Sequence, residues 1–299
     1  MKMRFSFDSF VDGSFDYDSE TKTHSCIWLR EEKMDIGGGR ISISEIDKLR
    51  DYPDADAVTI SGLRQDTFEY FIKTYGKQLK AIRFFKNKFI ENLSLLGTLP
   101  QLEYVVLFAN QRVSSLWNMT ENKSLTGLCI EDFSRLSSIK GVETAPVLKE
   151  FRIGNAVWSK MIIDSMMPLA NTGIERLAFT GRAIEDNDLS FIEQLPHLKV
   201  FDFPTNLFTT EQVAWIVANF PQVEGFSLKP KHDCKLFESN ENPVDVPGAI
   251  IVGKRKPALK VKGDEAKIEK YIQAFEALKE KFKGVSYRDA FLSQQTGIF

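Results

Sequence analysis

The sequence predicts an α/β repeat protein, with one short strand and one helix per repeat stacked into an arc. Three observations carry this expectation. Apolar anchors recur in phase from residue 55 to residue 228, at intervals of 23 to 26 residues. A period of that size signals stacked supersecondary units. Each copy places apolar residues at positions 1, 4 and 6, and positions 4 and 6 share one face of a strand. Four copies end in a proline just before the next anchor, at Pro100, Pro146, Pro196 and Pro221. Proline cannot continue a helix and turns its predecessor away from helical geometry, so it serves as a stop. Helix-like stretches lie before three of these prolines, over 93–99, 189–195 and 211–220.

The clearest copies are Leu79-Ile82-Phe84-Asn87, Leu102-Val105-Leu107-Asn110 and Leu198-Phe201-Phe203-Asn206. With positions 1, 4 and 6 apolar and asparagine at 9, the chain resembles the leucine-rich-repeat family. Weaker copies start at Ala55, Leu125, Leu148, Ile174 and Val223. They carry Leu63, Phe133, Ala156, Arg182 and His232 at position 9, so an asparagine ladder is expected to break in the centre. The resemblance implies a horseshoe-shaped solenoid of about eight repeats, capped at both ends. A parallel β-sheet would line the concave face, with helices on the convex face. The irregular period and residues Asn110 to Trp117 are similar to intracellular bacterial members of the family, many of unassigned function.

Three segments follow: an N-terminal cap over 1–54, repeats over 55–228, and a C-terminal cap with tail over 229–299. In the first, the alternation Phe5-Ser6-Phe7-Asp8 reads as a half-buried strand. Asp12-Gly13 reads as a hairpin turn, with Phe15, Tyr17, Ile27 and Leu29 continuing the apolar set. Residues 44–51 read as a short helix, and Gly37-Gly38-Gly39 as a connector. In the third, 248–253 reads as a strand. An amphipathic helix follows over 264–283, capped by Asp264, ended by Gly284 and striped by Ile268, Tyr271, Ile272, Phe275, Leu278 and Phe282.

Composition narrows the function. With 39 basic and 41 acidic residues the net charge is −2, which speaks against a general nucleic-acid binder. No apolar run is long enough for a membrane span, and aspartates interrupt the start too early for a secretory leader. Three scattered cysteines, Cys26, Cys129 and Cys234, form neither a disulfide framework nor a zinc spacing. A cytoplasmic location is expected. There are 24 phenylalanines against 26 leucines. Phe84, Phe151, Phe179, Phe201, Phe203 and Phe226 fall on core-facing positions and account for part of that excess.

No catalytic motif stands out. His24 and His197 are isolated, and the adjacent residues of His232-Asp233-Cys234 do not face one another as a nucleophile and base must. Trp117 and Trp158 are expected as filler. No catalytic residue, metal or cofactor is assigned. If positions 4 and 6 face the core, positions 3, 5 and 7 line the concave face in columns. These columns bring Arg83, Phe85, Tyr104, Val106 and Phe108 together on two neighbouring repeats, a cluster of hot-spot composition. Glu131, Asp132, Arg152 and Arg176 form a charged zone beside it. The resemblance implies a non-catalytic scaffold for protein–protein interaction that binds a protein partner on this face. No nucleic acid, membrane or small-molecule substrate is expected. The alternative is an enzyme or effector that recognises substrate through the repeats, with chemistry in the C-terminal region.

Overall fold

The computed structural model describes residues 6–13, 26–31, 39–157, 160–237 and 245–293. Phe5, Phe15, Tyr17, His24, Gly37, Gly38 and Trp158 lie outside them. The chain is a mixed α/β protein with a large eight-stranded parallel sheet. It divides into two compact units, Met1–His197 and Leu198–Phe299. The boundary falls at the anchor of the seventh copy, Leu198.

The first unit holds α1 (Phe7–Asp12), β1 (Ile27–Leu29), α2 (Ile43–Ile46), β2 (Ala57–Ile60) and α3 (Gln65–Tyr75). Then come β3 (Ala81–Phe85), β4 (Tyr104–Asn110), β5 (Gly127–Phe133), β6 (Glu150–Gly154), β7 (Ile162–Ile163), β8 (Arg176–Phe179) and β9 (Ala183–Ile184). Pairing is parallel and steps along the chain: Ala57 opposes Ala81, then Tyr104, Gly127, Glu150 and Arg176 in turn. That row is the position-3 column read from the sequence. Positions 4 and 6 are buried throughout, from Val58 and Ile60 to Leu177 and Phe179. The short strands β7 and β9 pair in a second, two-stranded sheet.

Behind the strands the chain is less helical than the sequence suggests. Between the strands of the first unit, α3 is the one α-helix longer than two turns among the described residues. The expected helix over 211–220 is present in the second unit as an α-helix over Thr210–Asn219. The stretches over 93–99 and 189–195 are single 3-10 turns, Ser94–Thr98 and Ser190–Gln194. Proline follows each turn and stops it.

After each of the first strands the backbone turns through a left-handed residue: Gly62, Lys86, Ala109 and Asp132. Three of these are not glycine, and each such residue costs about 1–2 kcal/mol. Buried asparagines hold the turns. Asn87 accepts from the Leu63 N–H at 2.7 Å and donates to the Ile60 carbonyl at 2.8 Å. Asn110 donates to the carbonyls of Asn87 and Ile90 and accepts from the Arg112 and Val113 N–H groups. At the next step Phe133 takes the buried place, and Asp132 accepts from the Ala156 and Val157 N–H groups. Asn122 is a further buried support. It donates to the carbonyls of Leu96 and Leu99 and accepts from the Trp117 indole.

Several expectations are corrected. Residues 7–12 are helical rather than extended. Ser6 caps α1 by accepting the Ser9 N–H, and Gly13 closes it with left-handed backbone. Phe7, Phe10 and Val11 fall at i, i+3 and i+4, one helical face. The expected hairpin is replaced at β1 by parallel pairing with β2. The short helix over 44–51 is present as α2 followed by a 3-10 turn, Asp47–Asp51.

The second unit holds β10 (Val200–Asp202), α4 (Thr210–Asn219), β11 (Lys231–Phe237), β12 (Asp245–Ile251), β13 (Ala258–Lys260) and α5 (Glu265–Phe282). The strands β11, β12 and β13 form an antiparallel sheet. Helix α4 carries a capping box between Thr209 and Gln212. Trp215 on α4 donates to the Val285 carbonyl at 2.8 Å and meets Tyr287 edge-on. Of the α5 stripe, Phe275 and Phe282 are buried and the rest half-buried. Asp264 precedes α5 but makes no N-cap bond; its carboxylate accepts from the Lys260 N–H and pairs with Lys267. Phe226, expected in the core, is 62% exposed and stacks on His232. Residues Phe226–Leu228 form a 3-10 turn rather than a strand, so strand parity does not govern them. Asn206 is exposed rather than buried.

The asparagine geometry predicts unequal costs. Asn110→Ala strands several buried backbone groups and should lower unfolding free energy by about 3 kcal/mol. Asn206→Ala should change it by less than about 0.5 kcal/mol. Urea unfolding of the two variants measures the difference.

Candidate functional site: the inner sheet face

On β2 to β5 the inner face of the sheet presents small or apolar residues: Ala57, Ala81, Val106, Gly127 and Cys129. All are buried, and Ala57, Ala81, Val106 and Cys129 form one cluster with Phe7, Phe10 and Val11 of α1 and with Cys26. Helix α1 therefore covers this part of the face. The Phe7 and Phe10 rings lie 5.4 and 6.2 Å from the Tyr104 ring. Gly127 makes room for Phe7, since a Cβ there would stand 2.5 Å from the Phe7 ring. Charge aligns the helix as well. Asp8 pairs with Arg152, and lies 3.5 Å from the Arg176 guanidinium, which also reaches Glu150 at 3.5 Å.

A six-residue helix has no stability of its own; the face imposes its shape. Burial of Phe7, Phe10 and Val11 contributes roughly 2 kcal/mol each. The Asp8 contacts with Arg152 and Arg176 add to this hold.

Beyond α1 the face is more open. Phe85 and Phe108, opposite each other on β3 and β4, stack with ring centres 5.3 Å apart. Both are half-buried. The Arg83 guanidinium lies 5.4 Å and the Lys86 ammonium 4.9 Å from the Phe85 ring centre, within cation–π reach. Arg83 Nε is buried with no hydrogen-bond partner among the described residues. Half-buried Glu131 stands beside Phe108.

The residues expected at the site thus separate into three groups. Phe85, Phe108 and Glu131 line the open part, and Arg83 reaches from it to the end of α1, where a Cβ on Gly13 would stand 3.0 Å from its guanidinium. Tyr104, Val106, Arg152 and Arg176 contact or underlie α1. Asp132 is 4% exposed, and its carboxylate is spent on the Ala156 and Val157 N–H groups. It is a structural residue, because the left-handed turn at position 8 points it away from the inner face. The contribution of α1 was missed, although Ser6, the Phe7-Phe10-Val11 spacing and Gly13 were its signal.

Burial pushes the Cys129 thiol well up, aided by the charge of Glu131, so it is a poor nucleophile. In β11, His232 is buried and Asp233 exposed. Burial lowers the His232 imidazole, with the Lys229 charge adding to the effect. Its Nε2 has no hydrogen-bond partner among the described residues. No group of three or more His, Cys, Asp or Glu among the described residues could hold a metal ion. No helix among them is long and apolar enough to cross a membrane.

Two outcomes follow from this arrangement. Cys26 and Cys129 are buried and Cys234 is half-buried, so a thiol reagent should label Cys234 first in the folded protein. Phe7→Asp with Phe10→Asp should open Cys26 and Cys129 to the same reagent, read by mass spectrometry. Burial also raises the Glu131 carboxyl, with Asp132 adding to the effect. A raised carboxyl gives stability that is complete below its unfolded value, about 4.3. That stability is lost as pH climbs through the higher folded value. Glu131→Gln should therefore raise Tm at about pH 7.5 and leave it nearly unchanged at about pH 4, in thermal melts at both. In comparisons with known proteins, no family model matches the chain, and no curated protein matches it in sequence.

Proposed function

We propose that the protein is a non-catalytic scaffold that binds a protein partner on the inner face of its sheet. On this reading the chain is a cytoplasmic leucine-rich-repeat solenoid, with repeats over 55–228 and caps over 1–54 and 229–299. The constant strand register, the Asn87–Asn110 ladder and the left-handed residue at position 8 support the repeat assignment. The observation that carries the function is the Phe85–Phe108 stack flanked by Arg83 and Lys86. Aromatic rings and arginine, partly exposed and held rigid by a sheet, have hot-spot composition. The partner is a protein because the face is broad, shaped by columns from several strands, and carries both apolar and charged groups.

Phe85→Asp with Phe108→Asp should abolish partner capture while the circular dichroism spectrum stays unchanged. Affinity purification from the native host with quantitative mass spectrometry compares wild type and variant. Equal recovery of every associated protein by the folded variant would falsify the inner-face assignment.

A further inference from the structure

The inner face already holds a ligand, and that ligand belongs to the chain itself. Residues 14–25 separate helix α1 from β1 in the sequence, and its six residues cannot stay helical unaided. The receiving surface has the features of a built site. Ala57, Ala81 and Gly127 remove side-chain bulk from three strands where the Phe7 and Phe10 rings settle. Tyr104 flanks both rings. Arg152 and Arg176, from two paired strands, converge on a single carboxylate, that of Asp8. Glu150 already meets Arg176, and a second carboxylate set against both guanidinium groups adds to that complementarity, so the site favours an acidic occupant.

We propose that the partner presents a short acidic helix of the α1 type. It would carry two aromatic residues three positions apart and an acidic residue directly after the first. It would take the place of α1 on the inner face. This rests on the reading of that face as the protein-binding surface, and names the chemistry it recognises. Helix α1 is then an intramolecular competitor that sets a threshold for binding. Displacement leaves Phe85 and Phe108 free to extend the contact, because they lie beside α1 and not beneath it.

The test uses the full chain and a fluorescein-labelled octapeptide of sequence Ser-Phe-Asp-Ser-Phe-Val-Asp-Gly, followed by fluorescence anisotropy. The Phe7→Asp, Phe10→Asp variant should bind it at least tenfold more tightly than wild type, whose own α1 competes. A peptide with lysine for its first aspartate should lose at least tenfold. Arg152→Glu in the open variant should weaken binding of the acidic peptide by a similar factor. If the double variant does not fold, Asp8→Lys loosens α1 without touching the apolar cluster and should bind at least threefold more tightly than wild type. A folded, open variant that binds no better than wild type overturns the proposal. So does a wild-type dimer in sedimentation that is lost in the Phe7→Asp, Phe10→Asp variant, which would make the occupant α1 of a second copy. No peptide binding, with partner capture still lost in the Phe85, Phe108 variant, removes the α1-like ligand and keeps the inner-face function. Peptide binding with partner capture unchanged does the reverse.

Discussion

The first unit depends on in-register parallel pairing, which carries Ala57 to Ala81, Tyr104, Gly127, Glu150 and Arg176. Once a strand pairs in register with its neighbour, every side chain belongs to a column and to one of two faces. The return path between strands must then fit a nearly constant length. The turn that leaves each strand is therefore stereotyped, left-handed at Gly62, Lys86, Ala109 and Asp132. The strain of the non-glycine members is offset by hydrogen bonds that Asn87, Asn110 and the Asp132 carboxylate accept from backbone N–H groups. Where Phe133 replaces asparagine the support moves one residue back, from position 9 to position 8.

A parallel sheet needs both faces covered. The outer face receives the column residues at positions 4 and 6 and the short turns behind them. On the inner face over β2 to β5, among the described residues, that role falls to α1. Its grip combines two rings over small residues with one carboxylate between two arginines. The same contact shields Cys129, leaves Phe85 and Phe108 at its margin, and divides the residues expected at the binding face into covered and open sets.

Much of the sheet was legible from one sequence. Period-2 alternation and the 23-residue spacing assigned the columns, and the observed pairs follow them, because register admits few alternatives when one face is buried. The helices were less legible. The stretches over 93–99 and 189–195 contain helix formers, yet they form short 3-10 turns that proline ends. Phe226 was placed in the core by continuing the pattern into 226–228, where the strand gives way to a turn. Helix α1 was hidden because Phe5-Ser6-Phe7-Asp8 satisfies a strand pattern as well as Ser6-Phe7-Phe10-Val11 satisfies a helical one. Local propensity over six residues cannot decide between them.

By itself the sequence determined which residues share a strand face and where the chain must turn back, since those follow from local periodicity and proline. Only the tertiary structure decided what lies on the inner face. Phe7 and Gly127 are far apart in sequence, and Asp8 meets Arg152 across most of the first unit. No periodicity links such positions. The cavity left by the missing Cβ of Gly127 and the paired charge of Arg152 and Arg176 exist only once β4, β5, β6 and β8 lie side by side.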